Sequence, residues 1–144
     1  MGLTGKTLVM ITAYQYGLVN KESLRRFLDE WVFPRAKYLL LMYAVRNNYI
    51  KTVLHNSIIM QEAVKYPDFM EYLEKLDESL SEHDPELEEL FLDVLKAEKS
   101  NDLSFKILVA DKLVHYQHCT GNFLDEDIVQ EYAFAERIIE KLLV

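Results

Sequence analysis

The sequence predicts an all-α fold: a single compact domain of six or seven helices, packed as an irregular helical bundle over residues 1–144. Apolar residues recur at helical spacing through most of the chain. No stretch alternates apolar and polar residues for long enough to form a strand. Four Gly and three Pro supply few of the tight turns that a β fold needs.

The first two helices are defined by their ends. Thr7 to Tyr16 is followed by Gly17, which accepts the positive φ found just past a helix. Asn20 can cap the second helix, and Pro34 is expected to end it because proline lacks a backbone N–H. The apolar stripe that we expect this helix to bury consists of Leu24, Phe27, Leu28, Trp31 and Val32.

Two further helices are apolar on nearly every side. Pro34 suits the first turn of a helix that runs to Arg46, and its segment Tyr38–Val45 has almost no polar face. The helix Asn101–Cys119 carries apolar residues in almost every direction and is expected to be buried. Since one small domain has few neighbours to cover two such helices, the sequence predicts a homodimer.

Prolines, asparagines and a glycine turn delimit the remaining helices. Pro67 ends one of them, and Asp84 can cap another in which Pro85 is the first residue. Each segment carries an apolar stripe at helical spacing. Besides Asn101–Cys119, the predicted segments are Tyr49–Tyr66, Asp68–Leu80, Pro85–Lys99 and Phe123–Val144.

The net charge of −8 is unevenly distributed along the chain. Residues 1–66 hold nine Lys or Arg and four Asp or Glu, a net of +5, whereas residues 67–144 hold seven and twenty, a net of −13. The two halves can neutralise each other within one molecule, or they can contact partners or other copies of the chain. The basic half is therefore a possible surface for a protein or a nucleic acid.

Residues 7–33 have the outline of a helix-turn-helix. Ala13 lies four residues before Gly17, and the helix after the turn bears Arg25 and Arg26. In a DNA-binding motif of this type those arginines would contact phosphates or guanine edges in the major groove. The alternative is an ordinary helical hairpin, because any two helices joined by a glycine turn share this outline.

One helix carries a narrow line of metal-ligating residue types. Asp111, His115 and His118 have the spacing i, i+4, i+7, which aligns them on one helix face, with Cys119 at its edge. With a carboxylate from another helix they could hold a divalent metal whose bound water attacks a substrate, as in a metal-dependent hydrolase. The alternative is a buried network in which Asp111 accepts a hydrogen bond from His115.

Two carboxylate pairs, Glu71 with Glu74 and Glu86 with Glu89, have the spacing that aligns acids on one helix turn. Over these 19 residues the chain resembles the all-α nucleotide pyrophosphohydrolases, although Glu89 stands where that family has an aspartate. The resemblance implies a magnesium site. The alternative is the solvated face of acidic helices.

The sequence favours a non-enzymatic protein-interaction or assembly module that needs no cofactor. A metal-binding protein or hydrolase using the Asp111, His115 and His118 line is one alternative, and nucleic-acid binding through Arg25 and Arg26 is another. Cys119 has no partner for an internal disulfide, no signal-cleavage pattern follows the N-terminus, and no apolar run is long enough to cross a bilayer. We therefore expect a cytoplasmic protein without a membrane anchor.

Overall fold

A computed structural model describes residues 2–120, together with 137, 140 and 141, and gives no side chains for residues 118–120. The predicted helix Phe123–Val144 therefore lies outside the described residues, apart from those three positions. Residues 2–120 fold into helices joined by short connections and contain no strand. This confirms the predicted all-α class.

The helices follow one another closely along the chain. In order, they are α1 (Leu3–Gln15), α2 (Lys21–Phe27), a π-helical segment (Leu28–Val32), α3 (Phe33–Arg46), α4 (Ile50–Leu54), α5 (Ser57–Ala63), α6 (Pro67–Glu74), a 3-10 turn (Glu78–Leu80), α7 (Pro85–Lys99) and α8 (Leu103–Thr120). Because α2, the π segment and α3 run on without a break, the described part of the chain contains seven separate helices.

The turn between α1 and α2 has the predicted signals. Gly17 adopts a φ of 75°, and the N–H of Leu18 donates to the carbonyl of Ala13 at 2.8 Å, which closes the end of α1. The Asn20 side chain accepts a hydrogen bond from the N–H of Ser23 at 2.8 Å and so caps α2.

The prediction that Pro34 ends the second helix is wrong. The helix continues through Pro34, and the turn before it widens into a π segment in which the N–H of Phe33 donates to the carbonyl of Leu28, five residues back. Proline has no N–H to bond to the preceding turn, and the π register accommodates that loss. The wider turn also changes which side chains face the core.

The segments 49–66 and 68–80 are shorter helices than predicted. The first divides into α4 and α5 at Asn56, whose side chain accepts from the N–H groups of Ile58 and Ile59 at 3.0 and 3.1 Å and so begins a new helix. The second ends at Glu74 as α6, and a single 3-10 turn follows at Glu78–Leu80.

Helix α3 lies at the centre of the bundle, as its composition predicts. Leu40, Leu41 and Ala44 are completely buried, and α7, α4 and α6 pack around the helix. Because helices of the same chain cover α3, its apolar surface no longer argues for a second copy. The sequence-based case for the homodimer loses this support.

The expectation that the helix at 101–119 is buried on every side is wrong. Val109, Ala110 and Leu113 of α8 face the core of the bundle. On the other side of the helix, Leu108 is 52% exposed and Asp111 lies at the surface. Among the described helices none is both long and apolar enough to span a membrane.

Candidate interaction surface

A buried ion pair fixes the π segment against the bundle. The Lys106 ammonium of α8, 1% exposed, lies 2.5 Å from a carboxylate oxygen of Asp29 and donates to the carbonyl of Ala97 at 2.9 Å. Asp29 therefore turns inward, and its charge is neutralised by Lys106. Leu28 and Val32 in the same segment are completely buried, which leaves Trp31 on the outer side.

An aromatic and cationic cluster covers that outer side. The rings of Phe27 and Trp31 stack with centroids 5.2 Å apart and planes 14° from parallel. The Lys6 ammonium lies 4.7 Å from the centroid of the Trp31 ring, and the Arg35 guanidinium lies 4.4 Å from it. Both distances lie within the range of a cation–π interaction. We call Lys6, Arg26, Phe27, Trp31 and Arg35 the Trp31 patch.

The Trp31 patch borders a shallow groove of about 440 Å³, lined by Ser23, Arg26, Phe27, Glu30, Trp31 and Arg35. Lys6, Arg26 and Arg35 are exposed, and Glu30 is the acid at the rim. Three cations against one carboxylate give the patch a local charge of about +2. Aromatic rings beside arginines are the combination enriched at the energetic centres of protein interfaces.

The structure separates the two arginines of the predicted helix-turn-helix. Arg25 turns toward the start of α8, where its guanidinium donates to the carbonyl of Asn101 at 3.4 Å and lies 4.0 Å from Glu22. Arg26 is exposed and lines the groove beside Trp31. Only Arg26 of the pair therefore belongs to the Trp31 patch.

A second groove, of about 410 Å³, lies between α7 and α8. Asp111 and His115 of the predicted metal line both contribute to it, opposite Glu86 and Glu89 of α7. Burial among its neighbours raises the pKa of the Asp111 carboxyl. The structure thus brings four of the candidate residues to one surface.

These four residues do not form a metal centre. In residues 2–120, no three His, Cys, Asp or Glu side chains converge closely enough to hold a metal ion. The His118 side chain, the third member of the predicted line, lies outside the described residues, as does that of Cys119. Glu71 lines a different groove, beside Arg46 and Lys75. The two carboxylate pairs therefore do not meet as the pyrophosphohydrolase resemblance implies.

The apolar stripe of the second helix predicts Phe27 and Trp31 as core residues, and no sequence motif includes Lys6 or Arg35. The spacing that could have indicated the Trp31 patch is 27, 31, 35, which puts two rings and a guanidinium in register along one helix face. Lys6 comes from α1 and joins the cluster only through the packing of the helices, so no local pattern marks it.

Comparison with protein-family models, with curated proteins and with solved structures gives no match for this chain. The described residues define an all-α bundle whose surface carries half-buried aromatic rings beside exposed basic side chains. We therefore infer the function from the chemistry of that surface.

Proposed function

We propose that this protein is a non-enzymatic protein-interaction module that binds acidic segments of a protein partner through the Trp31 patch. The observation that carries this proposal is the arrangement around Trp31, a half-buried indole stacked on Phe27 and flanked by Lys6 and Arg35. Such a surface offers an apolar platform and several cationic donors to one ligand.

The positions of the cations suit carboxylates. Arg35 donates to the carbonyl of Trp31 at 3.1 Å, which fixes its guanidinium over the ring. A guanidinium has five N–H donors in a fixed fork, and Arg35 can present others outward. Arg26 lies on the same groove, so two guanidinium groups can bind neighbouring carboxylates of one segment.

The overall charge favours a short acidic peptide segment over a nucleic acid. The molecule carries a net charge of −8, which repels a polyanion at long range, and Glu30 adds a carboxylate at the rim of the groove itself. A peptide segment with a few carboxylates and an apolar side chain experiences less of this repulsion. Its apolar side chain can pack on the Phe27 and Trp31 rings while its carboxylates contact the arginines.

Trp31 is the only tryptophan in the chain, so its fluorescence reports on the patch directly. We expect a peptide of alternating Glu and Leu to change that fluorescence saturably. Arg26→Ala and Arg35→Ala should each weaken binding about three- to tenfold, the effect of losing one charge-assisted contact at a partly exposed site. Lys96→Ala, which removes an exposed cation of α7, is the matched control and should leave the affinity unchanged.

Two results would overturn the proposal. Equal binding of the peptide in which Gln replaces every Glu would show that carboxylates are not recognised. Stronger binding of a single-stranded oligonucleotide, with an affinity that falls steeply with salt, would favour the nucleic-acid alternative.

A further inference from the structure

The most exposed large apolar side chain among the described residues is Leu80, at 72%. It lies on the 3-10 turn that follows α6, and we call residues 77–82 the Leu80 turn. A single exposed leucine is ordinary at a protein surface, so the interest of Leu80 lies in the ordered acidic turn that presents it.

The Leu80 turn is held in one conformation from both sides. Asp77 accepts hydrogen bonds from the N–H and the hydroxyl of Ser79 at 3.0 and 2.7 Å, and these bonds lower the pKa of its carboxyl. Ser81 is buried and accepts from the N–H of Lys51 at 2.9 Å. The N–H of Glu82 donates to the carbonyl of Asn48 at 2.7 Å. A preformed turn loses little conformational entropy when it binds.

The chemistry of the Leu80 turn complements that of the Trp31 patch. Asp77, Glu78 and Glu82 place three carboxylates around Leu80, and all four residues are exposed; the Glu78 carboxylate also lies 3.0 Å from the exposed His55 ring. The patch has three cations around two aromatic rings, next to a groove of about 440 Å³ that can take a leucine side chain. Apolar and charged parts of the two surfaces therefore match in kind, an acidic turn with an apolar tip against a basic patch with an apolar floor.

The two surfaces cannot meet within one molecule. Arg35 lies in the first turn of α3, whereas Asn48, which holds the Leu80 turn, follows the end of that helix. The eleven helical steps from Arg35 to Arg46, at 1.5 Å each, separate them by about 16 Å. The geometry points to a second copy of this chain as the partner: the Leu80 turn of one copy docks on the Trp31 patch of the next.

This inference rests on the proposed function and supplies the acidic segment that it requires. The contact joins two different surfaces, so a pair of bound copies still has one free patch, on one copy, and one free turn, on the other. Association is then head-to-tail and, where the rotation between copies does not close a ring, yields a distribution of oligomers that grows with concentration. Salt should shift this distribution toward monomers, because the contact depends on exposed charges.

Two variants that each lack one surface test the inference. Arg26→Glu with Arg35→Glu reverses the charge of the patch, and Leu80→Asn removes the apolar tip of the turn. All three positions are exposed, and circular dichroism checks that both proteins are folded. By sedimentation velocity, we expect the average mass of the unaltered protein to rise with concentration and each variant alone to remain monomeric. An equimolar mixture should form a one-to-one dimer and nothing larger.

Leu108→Asn is the matched control, since Leu108 is also exposed, at 52%, but lies on the α7–α8 groove; this variant should associate like the unaltered protein. A protein that stays monomeric at every concentration would refute the inference, and so would a mixture of the two variants that fails to form a dimer. If the acidic peptide still binds at Trp31 in either case, the proposed function stands and only the identity of the partner is wrong. If the peptide does not bind, both proposals fail.

Discussion

Replacing Asp29 by Asn should destabilise the protein substantially, because it leaves the Lys106 ammonium buried without its counter-charge. Lys106 is 1% exposed, and its other described hydrogen bond goes to the carbonyl of Ala97. Breaking a fully buried ion pair costs about 3–5 kcal/mol. Since the Asp29 side chain is 32% exposed and water can approach it, we expect a loss of about 2–3 kcal/mol.

Removing both charges should recover most of this loss. Met has nearly the volume of Lys and needs no counter-charge, so Lys106→Met in the Asp29→Asn background removes the unpaired ammonium. We expect the double variant to lie within about 1 kcal/mol of the unaltered protein. The double variant should therefore lose much less stability than the sum of the losses in the two single variants.

Urea unfolding measures both effects. With a slope of about 2 kcal/mol per M urea, Asp29→Asn should lower the midpoint by about 1–1.5 M. The matched control is the pair of Lys112 and Asp93, 3.0 Å apart with the lysine 45% and the aspartate 16% exposed; because water can solvate the lysine that is left behind, Asp93→Asn should cost less than about 1 kcal/mol. A loss at Asp29 no larger than that at Asp93, or no recovery in the double variant, would refute this reasoning.

Three further outcomes are expected. Burial alone would raise the pKa of Glu62, but hydrogen bonds from Lys65 and Lys37 hold that pKa below 4.5. The ionised Glu62 therefore stabilises the folded protein fully above pH 4.5, and this contribution is lost as the pH falls through the pKa of the folded state. Glu62→Gln should therefore weaken the acid loss of stability seen in urea midpoints from about pH 3 to 7. Asn56→Ala removes the cap of α5 and should cost about 1–2 kcal/mol in the same assay, whereas a neutral result would contradict the capping role. Asp111→Asn should raise thermal stability at pH 7 and not below pH 3.8, because burial disfavours the charged carboxylate; a fall at pH 7 would show that Asp111 has a cationic partner.

Local signals in the sequence predicted a large part of the fold. Helix α7 begins at Pro85 under the cap of Asp84, whose side chain accepts from the N–H of Glu86 at 3.0 Å, because capping depends on residues two or three positions apart. The centre of the bundle followed from the composition of Tyr38–Val45. The break at Asn56 was missed although its residue type favours a cap, because the apolar stripe continues across it.

Features that depend on distant residues were not predictable in this way. The pairing of Lys106 with Asp29 joins positions 77 residues apart, and the stacking of Lys6 on Trp31 requires α1 to lie beside the π segment. A single sequence contains no signal for such contacts. Metal binding by Asp111, His115 and His118 stays a prediction for a related reason: helical spacing placed Asp111 and His115 on one groove, but the His118 side chain lies outside the described residues and ligands from other helices depend on how α7 and α8 pack.

The π segment makes the number of residues before Pro34 as important as their identity. Loss of one residue between Leu28 and Val32 would restore α-helical spacing and rotate α2 by about 100° relative to α3. That rotation would carry Leu24 out of the core and Arg26 away from Trp31 at the same time. Relatives of this protein should therefore tolerate no deletion in this stretch.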